Sequence, residues 1–217
     1  MRRIAVLALA AAWTLGALLG TPDRAMAEEL TARLEALGHA WAKVYYGMPE
    51  SKQEPAYPAL VGQAQQIAAA YPARAEPLIW EAIILSCYAK AKGGLGAVDI
   101  AEQARDTALA AAKIDEKALD AGAYTALGVL YYKVPGWPVG FGNDKRAKEY
   151  LDKALAIAPA ALDVNYFYGD FMIEQGDKKK ARDFLQKALQ VAPRPGREDA
   201  DAGRKIEIQN DLAKLGS

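Results

Sequence analysis

His39 and Cys87 are the only imidazole and the only thiol in the 217-residue chain. A Ser-His-Asp relay or a His-rich zinc site needs more than that. His39 falls between Leu37 and Trp41 in an ordinary helical pattern. Cys87 sits in the apolar run Ile83-Ile84-Leu85-Ser86-Cys87-Tyr88, which predicts a buried, inert thiol. Carboxylates are plentiful but scattered over helix faces, with no pair singled out for acid–base work. Gly93-Gly94-Leu95-Gly96 and Gly140-Phe141-Gly142-Asn143-Asp144-Lys145 lack the spacing and the Lys-Ser or Lys-Thr of a phosphate loop. The expectation is no catalytic residue, no metal and no cofactor.

Binding chemistry is better represented. Trp137 and Phe141 stand in the Pro- and Gly-rich stretch of residues 135–142, where a plain turn needs neither ring. Such a loop either packs on its own scaffold with Trp137 as a plug, or rims a ligand groove. Helical register places Tyr166, Asp170 and Glu174 on one face, Thr125, Val129 and Tyr132 on a second, and Glu81, Leu85 and Tyr88 on a third. Together they predict a tyrosine-lined groove with a few carboxylates, suited to peptide or small-molecule contact. Tyr131, Tyr150 and Tyr168 read as core. Arg197 and Arg204 are candidate polar anchors: they fasten the last helix through internal ion pairs or grip a carboxylate from a partner.

These residues depend on a repeated scaffold. Lys153-Ala154-Leu155-Ala156-Ile157-Ala158-Pro159 recurs 34 residues later as Lys187-Ala188-Leu189-Gln190-Val191-Ala192-Pro193. Tyr124, Leu127, Gly128 and Tyr131 share one helix face, Ala147, Leu151 and Ala154 share another, and Pro159 closes the unit. The next unit keeps Gly169, Ala181, Leu185, Ala188 and Pro193, with Asn165 where the first aromatic belongs. On these residues the chain resembles the tetratricopeptide (TPR) repeat family. The resemblance implies an all-α, right-handed solenoid of antiparallel helix pairs, usually a binding scaffold. The clearest repeats span about residues 121–159 and 160–193. A weaker unit aligns Trp80 and Ile84 with Tyr124 and Gly128, and Ala104, Ala108 and Ala111 with Ala147, Leu151 and Ala154. A degenerate first pair takes residues 28–46 and 59–71, and residues 199–215 form a capping helix. Insertions around Gly94 and Trp137 fall at equivalent turns, so the two loops should be neighbours on one edge of the groove.

The N-terminus reads Met1-Arg2-Arg3, then an apolar stretch over residues 4–20, then Ala25-Met26-Ala27. That pattern predicts a secretory signal cleaved after Ala27, with no membrane insertion afterwards. Residues 28–217 would form a single helical domain in the periplasm. Losing three arginines and one aspartate from a chain of zero formal charge leaves about −2, which gives no electrostatic reason to expect nucleic acid as a partner. The leading reading is a periplasmic scaffold holding a protein or peptide in its concave groove. The alternative is a solute-binding accessory component. In size, location and interrupted repeats the chain also resembles the TPR-like periplasmic subunit of TRAP-type transporters, which implies a solute-binding protein as partner.

Overall fold

The computed structural model describes residues 22–216, so most of the expected signal lies outside the described residues. Residues 23–27 are the exposed start of the first helix. Among the described residues there are nine α-helices: α1 (Pro22–Tyr45), α2 (Tyr57–Ala70), α3 (Glu76–Lys92), α4 (Gly96–Ile114), α5 (Ala118–Lys133), α6 (Asp144–Ile157), α7 (Leu162–Glu174), α8 (Lys178–Leu189) and α9 (Glu198–Gly216). None of them is long and apolar enough to cross a membrane.

Local signals set the boundaries. Asn143 and Asp177 cap α6 and α8: their side-chain oxygens accept from the backbone N–H of Arg146 at 3.0 Å and of Lys180 at 3.1 Å. Lys178-Lys179-Lys180 is therefore the solvated first turn of α8. The pairs α3–α4, α5–α6 and α7–α8 pack most closely, and the small residues of the repeat explain how. A Cβ on Gly128 would lie 2.6 Å from Leu151 Cγ, and one on Gly169 would lie 2.9 Å from Leu185 Cγ. Both leucines are fully buried in one continuous core. Each glycine is thus the hole into which the leucine of the partner helix fits.

The odd-numbered helices form an inner layer and run parallel. Ile79 on α3 sits against Gly122 on α5, and Ala121 shares a cluster with Val164 on α7. Further along, the Tyr132 hydroxyl donates to Asp170 at 2.6 Å, and Lys133 reaches Glu174 at 2.7 Å. The expected capping helix does more than cap. α9 runs back beside α1, with His39 against Asp199 at 2.9 Å and the hydroxyls of Tyr45 and Tyr46 donating to Glu207 at 3.3 and 3.2 Å. Gly203 makes this approach possible, because a Cβ there would lie 2.4 Å from Tyr46 Cγ. On its other side, Arg204 of α9 reaches Asp163 of α7 at 3.2 Å. The two ends of the array therefore meet. Five helices (α1, α3, α5, α7 and α9) surround a common interior, and the concave face is a partly open cavity rather than an open groove.

Asn165 explains one irregularity of the repeat. Its side chain is fully buried and donates to the carbonyls of Pro159 and Ala161 at 3.0 and 2.7 Å. It ties the α6–α7 turn and takes no part in the interior wall.

Candidate functional site

Closure of the ring leaves a cavity of about 900 Å³ to which all five inner helices contribute. Its volume lies at the upper end of small-molecule sites. Inner helices of a repeat present equivalent positions, so register decides which side chains it meets. On α5 the wall includes Gly122, Ala126, Val129, Leu130 and Lys133; on α3 it includes Ile79, Ile83, Ser86, Cys87 and Lys90. The α3 set maps onto the α5 set at an offset of 43, as 79 onto 122 and 83 onto 126. Alignment of Trp80 with Tyr124 assumed 44. One residue turns a helical position by about 100°, and that is enough to move the predicted residues off the wall. Glu81 instead faces α2, where it accepts from Gln65 at 3.1 Å. Leu85 is core, and Tyr88 stacks on Tyr57, 6.1 Å between centroids. Glu81 and Tyr88 are therefore not cavity residues.

The α5 and α7 assignments fare better. Thr125, Val129, Tyr166 and Asp170 all line the cavity. Tyr132 does not: its ring packs on Phe171 behind the wall, and its hydroxyl holds Asp170 from there. Burial, and then the neighbouring carboxylate, raises the Tyr132 pKa well above the ordinary phenol value. Asp170 also receives Lys133 at 3.0 Å, so this end of the cavity is a closed polar network.

The two inserted loops are neighbours, as expected. Gly93, Gly94 and Leu95 line the same cavity as Val134, Pro135 and Val139. The loop before α6 is tightly tied, with Gly142 N–H donating to the Pro135 carbonyl at 2.9 Å and Asn143 N–H to that of Tyr131 at 2.7 Å. Phe141 is its anchor: the ring meets Tyr131 edge-on and lies under the Arg105 guanidinium of α4 at 4.6 Å. Trp137 is no plug, because 90 % of it is exposed. It does not line the cavity, whereas Val139, two residues on, and Leu95, 81 % exposed, both do.

The opposite end of the ring is built from arginines. Arg194 hydrogen-bonds Asp201 through its backbone N–H and its guanidinium, and reaches Asp163 at 2.9 Å. Arg204 bonds Asp163 at 3.2 Å and Glu207 at 2.6 Å, and lies over the rings of Tyr166 and Phe167 at 4.3 and 4.6 Å. Although burial pushes the Asp163 carboxyl up, Arg194, Arg204 and Arg197 together hold it well below the usual range. Arg204 thus fastens the last helix internally. Arg197 is held differently: it stacks over Trp80 at 5.0 Å, and its closest ion-pair contact is Asp163 at 3.9 Å.

Sequence reasoning missed the share of α1. Trp41 and Tyr45 stack on one another, 5.1 Å between centroids, and both line the cavity. The aromatic run Trp41, Tyr45, Tyr46 at helical spacing was the available signal. Cys87 also faces the interior, where its sulfur accepts from Trp41 Nε1 at 3.4 Å. Burial pushes its thiol up to about 11, so the thiolate needed for reactivity is scarce at neutral pH. Among the described residues no group of His, Cys, Asp and Glu is placed to hold a metal ion.

A family model of the tetratricopeptide repeat matches residues 142–200. The match covers α6, α7, α8 and the start of α9. No curated protein matches the chain significantly.

Proposed function

We propose that this tetratricopeptide-repeat chain binds an elongated, largely apolar small molecule inside its ring. Tetratricopeptide repeats generally mediate protein–protein interaction. Here, however, the chain's own α9 forms a fifth wall beside α1 and narrows the concave face that would hold a peptide helix. One observation carries the reading: the ring of helices leaves a partly open cavity of about 900 Å³, whereas a helix with its side chains needs a groove about 10 Å wide. Ile83, Ala126, Val129 and Leu130 give the middle of this cavity an apolar wall, and charged groups are gathered at its two ends. The N-terminal signal pattern supports work in the periplasm, as a solute-binding accessory component.

Calorimetric titration of the purified protein with dodecanol tests this reading. Saturable binding is expected, with loss of binding in Val129→Trp while helical circular dichroism is retained. No binding to the wild type, or undiminished binding to the variant, overturns it.

A protein partner has its own supporting observation. Leu95, Trp137 and Val139 are exposed together at the rim formed by the two inserted loops. Exposed aromatic and aliphatic side chains on one edge fit a docking patch, and a periplasmic solute-binding protein is the proposed partner. Trp137→Ala should abolish its capture from periplasmic extract without changing dodecanol binding. Equal capture by wild type and variant rules out this patch.

A further inference from the structure

We infer that Arg197 is the anchor for a carboxylate, so that the ligand of the ring is an apolar monocarboxylate lying with its head at this end. The inference rests on the small-molecule reading above. Three guanidinium groups meet Asp163, but their donors are unequally used. Arg194 is committed to Asp201 and Asp163, and Arg204 to Asp163 and Glu207. Arg197 lines the cavity with its side chain 22 % exposed. Its contact with Asp163, at 3.9 Å, is beyond hydrogen-bond reach, and its buried Nε has no partner. A guanidinium carries five donors in a planar fork that matches a carboxylate. The Arg197 Nε is shut off from the cavity, so the terminal Nη nitrogens, stacked over Trp80 at the cavity wall, are the donors whose pairing a planar anion would complete. Burial lowers the pKa of Arg197, with Arg194 and Arg204 adding to the shift and Asp163 and Asp201 opposing it.

The surroundings also limit the charge of the head group. Arg194, Arg197 and Arg204 face Asp163, Asp201 and Glu207, three charges of each sign, so the cluster is formally neutral. Arg197 offers unused donors rather than surplus charge, and a dianion would add a second uncompensated charge. The tail has room: along α5 the wall extends from Gly122 to Lys133, about 16 Å of helix. A single-headed ligand would therefore lie along the ring axis, head at Arg197 and tail toward the rim of Leu95 and Val139.

Calorimetric titration with dodecanoate, dodecanol and dodecyl phosphate separates the possibilities. Wild type should bind dodecanoate about tenfold or more tighter than dodecanol, the gain of one charge-assisted pair. Arg197→Gln should bring the ratio of dodecanoate to dodecanol affinity down to about one, and Arg197→Lys should keep part of the preference. The head-group comparison in the wild type stands even if a variant misfolds. Equal affinity for dodecanoate and dodecanol, or an equal loss of both in Arg197→Gln, overturns the anchor and leaves the cavity reading standing. Tighter binding of dodecyl phosphate overturns the monocarboxylate assignment. Failure of all three probes to bind overturns the anchor and the cavity reading together.

Discussion

The junction of α5 with α6 and the seam of α1 with α9 are both helix–helix contacts, yet they are made of different material. Inside the pair, a glycine receives a fully buried leucine, and the same device recurs at Gly169 and Leu185. At the seam Ala200 joins the apolar cluster of α1 and Gly203 admits the Tyr46 ring, alongside polar contacts: His39 to Asp199, and Tyr45 and Tyr46 to Glu207. Burying a leucine in this way contributes a few kcal/mol, whereas polar contacts between half-exposed groups contribute little net stability. The ring is thus a firm array closed by a weaker latch.

Breaking the array should cost more than breaking the latch. Leu151→Ala empties the space opposite Gly128, and about 3 kcal/mol of global stability should go with it. Urea unfolding monitored by circular dichroism measures this. A loss below about 1 kcal/mol would mean the pair is not the firm element. Gly203→Ala attacks the latch instead. Its Cβ would lie 2.4 Å from Tyr46 Cγ, so α9 must shift. Overpacking costs about 1–3 kcal/mol, offset by up to about 1 kcal/mol of helix propensity. Hydrogen exchange should then show α9 losing protection while α5 to α8 keep theirs. A uniform loss across the chain would show that the seam and the array unfold as one unit.

The same contrast explains what could be read in advance. Repeat packing is local and recurs, so residues 147–159 and 181–193 announce each other, and the helix pairs follow. The seam joins His39 to a residue 160 positions away through a single contact, and a single contact leaves no period. Closure of the ring and the role of α1 were therefore invisible, and of Arg204 the sequence suggested internal ion pairing but not Asp163 as the partner. The misplacement of Glu81 and Tyr88 has another origin. Trp80 was matched to Tyr124 because both are aromatic, but the second helices align Ala104, Ala108 and Ala111 with Ala147, Leu151 and Ala154 at 43 residues. That offset, applied to the first helices, places Ile79 and Ile83 on the wall, where they are found. Leu85 then stands at the position of Gly128 and Ala108 at that of Leu151, large and small exchanged.

The array is not free of strain. Leu119, Asp120 and Ala121, where α5 joins the ring, have φ of 48°, 55° and 59°. Left-handed backbone disfavours any residue with a Cβ, by about 1–2 kcal/mol, and aspartate tolerates it better than most. Asp120 is exposed, so Asp120→Gly should raise global stability by about 0.5 kcal/mol. Thermal unfolding checks the sign. A lower midpoint would show that the Asp120 side chain contributes more than its backbone costs.

The smallest effect should come from His39, and it bears on the latch alone. Its hydrogen bond to Asp199, together with the negative charges of Asp199, Glu198 and Glu35, raises its pKa above the ordinary value, with slight desolvation opposing. A raised folded-state pKa means that the protonated form is favoured by folding. The contribution is complete below the unfolded pKa of about 6.5, and it is lost as pH rises through the higher folded value. The pair is half exposed, so solvent screening keeps the contribution small. Opening of α9, followed by hydrogen exchange after correction for intrinsic rates, should become slightly easier between about pH 6 and 8, and His39→Gln should flatten that slope. A slope that persists in His39→Gln would assign the pH response to another group, and the seam would then owe nothing to its imidazole.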